Sequence, residues 1–166
     1  MPTATEQTAS ATLERETRLS KYLTFVLGEE EYGLEILKVR EIIGLMDITR
    51  VPRMPDFVRG VINLRGKVIP VVDLRLKFGM EKLEDTVETC IIVVDLVDMI
   101  MGVAVDKVSE VLDINANDIE ETPSFGVEIN TEFIMGIGKA KGKVIILLDI
   151  QKVLTAAEIS AISEIG

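Results

Sequence analysis

Residues able to do acid–base, nucleophilic or metal chemistry are few in this chain and poorly placed for it. The chain contains no histidine, which removes the commonest general base and metal ligand. Its single cysteine, Cys90, lies in the apolar run CIIVV and has no histidine to activate the thiol. Triad hydrolases and histidine-based zinc sites are therefore excluded, and Cys90 is predicted to be a buried structural thiol in a reducing compartment.

Two aspartates occupy matching places after apolar runs and invite comparison with the carboxylate pair of an aspartic protease. Asp73 is followed by Leu and Arg, and Asp149 is followed by Ile and Gln. Neither has the small hydroxyl residue and glycine that would let two carboxylates approach each other closely. We interpret both as structural aspartates at strand ends.

Two glycine-containing turns are the remaining candidates for chemistry. The run GIGKAKG at 136–142 resembles a dinucleotide-binding loop only loosely, because its third glycine is one position late and a strand follows it. The turn Asn-Leu-Arg-Gly at 63–66 exposes Arg65, whose guanidinium is a forked donor suited to a carboxylate. From the residues alone, a solvated turn arginine is the preferred interpretation of Arg65.

The elements that would position these residues are duplicated. Positions 57–74 read FVRGVINLRGKVIPVVDL, and positions 133–150, 76 residues later, read FIMGIGKAKGKVIILLDI. Positions 33–43 similarly match positions 102–112 at an offset of 69. Because both blocks keep their order, a whole half-domain is repeated, and a binding site at the junction between the halves is expected.

Apolar alternation and β-branched residues predict mainly strands. Pro70 inside one of them indicates an edge strand or a bulge. Leu37 is predicted to begin a turn that leads into a strand ending at Ile43, and residues 115–119 to form one helical turn. The predicted strands are 21–27, 32–36, 58–64, 67–74, 89–96, 99–105 and 108–114, with hairpins closed by glycine-containing turns.

The 166 residues are predicted to form one integrated domain, built as two small β-barrels or as a sandwich. Residues 1–20 lack apolar periodicity and are expected to be a disordered tail. The acidic segment 80–88 is expected to join the halves. Thr155 and Glu158 form a capping-box pattern, so residues 155–166 should be a short helix packed on the barrels.

Charge and composition exclude two classes of partner. The net charge is −10 and aromatic residues make up 4% of the chain, which is unlike a nucleic-acid-binding protein. Its apolar runs are far shorter than the roughly 18 residues a membrane span requires. The hydrophobic content of 48% predicts a dense β core together with apolar surface for protein partners.

The first half resembles a known family. Three of its segments, YGLEILKVREI at 32–42, ITRVP at 48–52 and GVINLRGKVIPVVDLR at 60–75, together with DKVSEVL at 106–112, are similar in sequence and order to the CheW family of chemotaxis coupling proteins. The resemblance covers about residues 21–154. It implies an all-β fold of two pseudo-symmetric, five-stranded, SH3-like barrels with a short C-terminal helix.

The resemblance also implies a function. CheW-like proteins have no catalytic activity, cofactor or metal. They couple the cytoplasmic tips of chemoreceptors to the regulatory domain of the histidine kinase CheA in signalling arrays. A cytoplasmic protein recruited to membrane-associated arrays is therefore expected, without direct insertion into the membrane.

The family's sites can be carried over residue by residue. The receptor-binding groove between the barrels would be lined by Leu23, Ile36, Val39 and Val108, with Glu41, Gly60, Asn63 and Arg65 near its rim. Contacts that close the ring of kinase and coupling proteins would fall on Glu120 and Phe125. Familiar members carry a basic residue where this chain has Glu120, so a salt bridge of the usual polarity is not expected there.

Two other functions remain compatible with these residues. A CheW-like scaffold of a non-flagellar chemosensory pathway would show the same motifs and differ only in its partner kinase. A small-molecule-binding β-barrel would instead require a deep enclosed pocket with convergent polar groups.

Overall fold

A computed structural model describes residues 19–97, 99–120 and 133–163. The first half of the repeat forms the strands β1 (Leu19–Leu27), β2 (Glu30–Glu35), β3 (Val39–Gly44), β4 (Val58–Leu64) and β5 (Lys67–Asp73), and the helix α1 (Leu74–Lys77). A 3-10 turn at Ile36–Lys38 separates β2 from β3, as predicted. Because β1 already begins at Leu19, the predicted tail is too long at its C-terminal end, and its first 18 residues lie outside the described ones.

The second half repeats this order of elements. It forms β6 (Cys90–Asp95), β7 (Ile100–Val105), β8 (Lys107–Asn115), β9 (Ile119–Glu120), β10 (Ile134–Ala140), β11 (Lys143–Leu148), α2 (Ile150–Val153) and α3 (Ala156–Ser163). The predicted helical turn after β8 is a 3-10 turn at Ala116–Asp118.

The strands assemble into two sheets that each draw on both halves of the chain. Sheet I has the order β8-β1-β2-β11-β10-β9, and sheet II has the order β3-β6-β7-β5-β4. Each therefore combines the first two strands of one half with later strands of the other, joined by the parallel pairs β2–β11 and β5–β7. The two barrels of the predicted fold are present, but dividing the chain between them at residues 80–88 is wrong. The reason is that the chain crosses from one sheet to the other after β2 and again after β7.

Pro70 lies in an interior strand, so the edge alternative of its prediction is wrong, and the irregularity of this hairpin lies between Val58 and Gly60 of β4. β5 sits between β7 and β4 in sheet II. Its pairing with β7 begins only at Val71, whereas Pro70 pairs with Val61 of β4. Pro70 therefore lies before the first residue of β5 that pairs with β7, so the hydrogen bonds between β5 and β7 do not require its missing N–H.

The two hairpins β4–β5 and β10–β11 close with the same turn. Arg65 and Gly66 have φ values of 51° and 85°, and Lys141 and Gly142 have values of 52° and 73°. Two successive residues at positive φ define the type I′ turn that suits the twist of paired strands. The repeated cation–glycine pair thus places one exposed cationic side chain at the tip of each hairpin.

Alternating side chains divide the buried residues between each barrel and the junction of the two. Ile91 and Val93 of β6 face the interior of sheet II's barrel, whereas Ile92 and Val94 face the opposite way. The interior of sheet I's barrel contains Tyr22, Leu112, Ile114, Ile145 and Leu147. Between the sheets lies a larger cluster, here called the shared core, which includes Leu23, Phe25, Leu34, Val72, Ile92, Val94, Met101, Val103, Leu148 and Ile162. The halves are therefore one folding unit.

A column of aromatic rings adds to the shared core. Phe25, Tyr32, Phe78 and Phe133 stack in succession, with ring centroids 5.8, 5.7 and 4.9 Å apart. Burial, together with the charge of Glu30, raises the pKa of the Tyr32 hydroxyl above its ordinary value. The column connects strands of sheet I to the segments that precede β10 and follow α1.

The C-terminal helix α3 begins with the predicted capping box. The Thr155 hydroxyl accepts from the Glu158 N–H at 3.1 Å, and the Glu158 carboxylate accepts from the Thr155 N–H at 2.8 Å. The same carboxylate accepts from Lys77 Nζ at 2.8 and 2.9 Å. Ile162 is buried in the shared core, so these contacts fix α3 over the junction.

The charge of Glu158 should contribute pH-dependent stability. Burial of the carboxyl would raise its pKa, but hydrogen bonds from Lys77 and Thr155 outweigh burial and hold the pKa of Glu158 below its usual range. A lowered pKa stabilises the fold above the unfolded-state value, and this contribution is lost as the pH falls through the folded-state value. We expect Glu158→Gln to lower the free energy of unfolding by about 1–2 kcal/mol near neutral pH. The difference from the wild type should shrink as the pH falls through the lowered folded-state pKa of Glu158.

Urea denaturation at several pH values measures this effect. Glu84→Gln is the matched control, because Glu84 is exposed and makes no ion pair among the described residues. A Glu158→Gln deficit that stays constant with pH would assign the effect to packing and not to charge.

Candidate functional site

The apolar residues predicted to line the groove all lie at the shared core, but at different depths. Leu23 is only 1% exposed and is part of the core itself. Ile36, Val39 and Val108 are partly buried and pack against the edge of that core. The prediction is therefore corrected for Leu23, whose side chain lies beneath the surface because β1 is covered on both faces.

Two apolar residues that the sequence analysis missed share this surface. Ile42 pairs with Ile92, and Val111 pairs with Leu23. Directly paired residues of antiparallel strands project on the same face, and Ile92 and Leu23 both face the shared core. Ile42 and Val111 remain 43% and 48% exposed.

These residues form two apolar patches, here together called the seam edge: Val39 and Ile42 on β3, and Val108 and Val111 on β8. Val39 and Val108 are repeat counterparts, and so are Ile42 and Val111, since each pair is separated by the offset of 69. That offset was the signal that could have identified Ile42 and Val111. The seam edge thus consists of the same two apolar positions of the repeat, which occur once on β3 and once on β8.

The polar residues predicted near the rim form a separate group at the hairpin tip of sheet II. Arg65 makes an ion pair with Glu41 across the gap between the turn and β3. The Asn63 side-chain oxygen accepts from the Gly66 N–H at 2.8 Å and so stabilises the turn. Arg65 and Glu41 line a shallow depression of about 430 Å³ together with Arg40, Leu64, Lys67 and Ile100. Arg65 is a solvated turn arginine, 71% exposed, and its ion pair with Glu41 would compete with any carboxylate of a partner.

Gly60, predicted near the rim, has a backbone role in the structure, and its part in receptor binding stays a prediction. It is buried at an irregularity of β4, with φ of 141°. Residues 49 and 61 exchange backbone hydrogen bonds of 2.8 Å beside it. A Cβ on Gly60 would lie 2.1 Å from the Thr49 carbonyl oxygen. The glycine is required so that the chain can pass this closely, and it offers no side chain to a partner.

Glu120, predicted to contact the kinase ring, lies on β9 at one edge of sheet I. Its carboxylate accepts from Lys139 Nζ at 2.6 Å, and both side chains are exposed. The hydrogen bond and charge of Glu120 raise the pKa of Lys139 above its usual value. This pair places a cation beside the carboxylate. Phe125, the second predicted ring contact, lies outside the described residues.

The remaining charged groups support structure. Asp73 and Asp149 accept from the N–H groups of Leu76 and Gln151 at 3.4 and 3.0 Å, so they cap the short helices α1 and α2, which agrees with their interpretation as structural aspartates at strand ends. Within residues 19–97, 99–120 and 133–163, no three His, Cys, Asp or Glu residues are grouped in a way that could hold a metal. Of the helices in that same part of the chain, none has the length and apolar character to cross a membrane.

Residues 21–158 match the family model of the CheW-like domain. The chain belongs to the CheW-like family. The chemotaxis protein CheW of Klebsiella aerogenes is 40% identical over 154 residues, covering 93% of each chain. That of Helicobacter pylori is 34% identical over 149 residues, covering 90% of each.

A solved structure agrees with this assignment. The crystal structure of the scaffolding protein TtCheW from Thermoanaerobacter tengcongensis matches with a TM-score of 0.77 at 38% identity, over 84% of this chain and 95% of that one. CheW-like proteins are non-catalytic scaffolds of chemotaxis, which agrees with the small number of candidate catalytic residues in this chain. The family resemblance and the two-barrel fold predicted from the sequence are confirmed.

Proposed function

We propose that this CheW-like protein couples the cytoplasmic tips of chemoreceptors to the regulatory domain of CheA. The observation that carries the proposal is the seam edge, where four aliphatic side chains of two strands remain partly exposed beside the shared core. In a chain of net charge −10, such a surface is suited to burial against a partner.

An amphipathic helix of the receptor would be a suitable occupant of this apolar surface. An amphipathic helix inserts apolar side chains at a spacing of three or four residues into an apolar groove. Val39 and Val108 would contact those side chains, with Ile36 beside them at the end of β2. Glu41 and Arg65 lie further along the same half and would fix the orientation of the helix through charge-assisted hydrogen bonds.

The kinase partner would use a different surface. Glu120 and Lys139 lie on β9 and β10 at one edge of sheet I, whereas β3 belongs to sheet II. A partner at the β9 edge would leave Val39 and Ile42 on β3 uncovered, so a receptor bound at β3 and a kinase bound at β9 could be held together. The protein would then act in the cytoplasm and reach the membrane-associated array through its partners.

Calorimetric titration tests this function. The full chain should bind the isolated CheA regulatory domain and a receptor tip fragment, each saturably at micromolar concentrations, and saturation with one should leave the affinity for the other within about twofold. Flat isotherms against both partners would contradict the proposal. A strictly competitive pair would contradict the use of separate surfaces.

A further inference from the structure

The chain crosses from one sheet to the other at two places, which differ in how they are held. The first crossing runs from β2 to β3 through the 3-10 turn Ile36–Lys38, and the second runs from β7 to β8 through Asp106. Asp106 Oδ2 accepts from the Gly28 N–H at 2.8 Å and from the Arg75 guanidinium at 2.5 Å. One carboxylate of the second half is therefore bonded to the β1–β2 turn and to α1, which both belong to the first half.

These three residues, here called the clasp, are largely shielded from water. Arg75 is 9% exposed, and its Nε donates to the Glu81 carbonyl at 3.0 Å. The side chain of Asp106 is 25% exposed. Because Asp106 bonds both a backbone N–H and a guanidinium that is itself held in place, the clasp restrains the second crossing more than a surface ion pair would.

The first crossing lacks the clasp. The repeat offset of 69 places Val97 at the position of Gly28 and Leu37 at the position of Asp106. The side chains of Leu37 and Val97 are apolar, and the two residues are 85% and 83% exposed. The carboxylate that fastens the second crossing thus has no equivalent in the first.

The strand ladders differ at the same point. The β8–β1 ladder ends with Lys107 paired with Val26, at the residue that follows the clasp. The β3–β6 ladder stops one pair earlier, at Val39 and Val94, because Lys38 still belongs to the 3-10 turn. Regular pairing therefore reaches the crossing on the side of β8 and not on the side of β3.

Exposed ion pairs do not distinguish the two strands. β3 is linked to β6 by Arg40 and Asp95 at 3.6 Å, and β8 is linked to β1 by Asp113 and Lys21 at 3.0 Å. All four side chains are 45% exposed or more, so water screens both pairs and they add little to stability. The clasp is a difference between the strands that screening does not remove.

We propose that Asp106 is a positioning residue of the receptor site, which fixes the β8 patch of Val108 and Val111 and leaves the β3 patch of Val39 and Ile42 free to adjust. This inference rests on the proposed receptor coupling and extends it. Val108 follows Asp106 by two residues, so holding the crossing also holds this patch. A site with one fixed side requires less ordering when a partner binds than a site with two loose sides.

Amide hydrogen exchange tests the inference in the free protein. After correction for intrinsic rates, the amides of β8 that bond to β1 should exchange about tenfold or more slowly than their repeat counterparts in β3. Asp106→Leu, which copies the residue of the first crossing, should accelerate exchange in β8 by about tenfold or more, while the slowest amides of β6 and β7 change by less than about threefold. Equal exchange in β3 and β8 of the wild type would overturn the inference. So would equal acceleration of all these amides, which is the sign of lower global stability.

Two further variants make the exchange experiment specific. Asp113→Leu is the matched control, because it makes the same substitution on the same strand and removes only the exposed pair with Lys21. It should leave exchange in β8 within about threefold of the wild type. Asp106→Asn retains an acceptor for the Gly28 N–H but loses the charge that faces Arg75, so it should loosen β8 less than leucine does and should fold even where the leucine variant does not. An unchanged β8 in Asp106→Asn, or an equal effect of Asp113→Leu, would contradict the role of the clasp.

Titration against the receptor tip fragment separates this inference from the proposed function. Asp106→Leu should bind the fragment about fivefold or more weakly, since only part of the population then presents the β8 patch in the binding conformation. Binding of the CheA regulatory domain should stay within about twofold. If Asp106→Leu binds the fragment normally while Val108→Asp loses binding, the receptor site is real and the positioning role is wrong. If Val39→Asp and Val108→Asp both bind normally, receptor coupling at the seam edge is itself wrong, and the positioning role with it.

Discussion

Alanine in place of Gly60 is expected to lower the free energy of unfolding by more than about 2 kcal/mol. Two costs add at this position. The backbone has φ of 141°, which side chains rarely adopt. The new Cβ would also lie 2.1 Å from the Thr49 carbonyl oxygen. Relief of that contact requires β4 to move away from residue 49 and to break the hydrogen bonds between residues 49 and 61.

Gly66→Ala separates the two costs in the same urea denaturation experiment. Gly66 also has positive φ, at 85°, but no atom lies within 4 Å of the Cβ that alanine would add. Its substitution should cost about 1 kcal/mol, from backbone strain alone. If Gly60→Ala costs no more than Gly66→Ala, the close approach to Thr49 does not contribute to stability.

Aspartate at Val39 or Val108 is expected to weaken receptor binding by about 1–3 kcal/mol, roughly 5- to 150-fold in Kd. A charge there would have to be buried against apolar side chains of the receptor helix. Both valines are only partly buried in the free protein, so the aspartate can turn towards water and the variants should remain folded. Binding of the CheA regulatory domain should be unchanged.

Titration of each variant against the receptor fragment and the kinase domain, alongside thermal melting, decides the result. Val87→Asp, at a fully exposed position between α1 and β6, is the control for added negative charge. Unfolding of Val39→Asp would place Val39 in the shared core and contradict its role in binding. Normal receptor binding by both variants would place the receptor site elsewhere.

Local features were predictable from the sequence because they depend on neighbouring residues. The hairpin turn at Arg65 and Gly66 follows from a cation–glycine pair between two apolar alternating runs. The Thr155–Glu158 capping box follows from a spacing of three residues. The structural role of Asp73 and Asp149 follows from the residues next to them, which lack the small hydroxyl residue and glycine of a catalytic carboxylate pair.

Features that depend on distant pairing were not predictable. Strand alternation shows that Leu23 has a buried face, but it does not distinguish a groove from the core beneath it. The carboxylate partner of Arg65 lies 24 residues away along the chain, on a strand that is not its hairpin neighbour. The role of Gly60 depends on a segment that only the folded chain brings beside β4.

The interleaving of the strands bears on how such a molecule could arise by gene duplication. In this protein, the sheet that contains β3, β4 and β5 of the first half is completed by β6 and β7 of the second half. A single half on its own would lack those two strands. Two separate copies could supply those strands to each other reciprocally, as a symmetric strand-exchanged dimer. Fusion of two such subunits through the segment that now joins α1 to β6 would preserve every pairing and make association independent of concentration. Each copy would then be free to diverge. The second hairpin turn could carry Lys141 where the first carries Arg65, without a change in the fold.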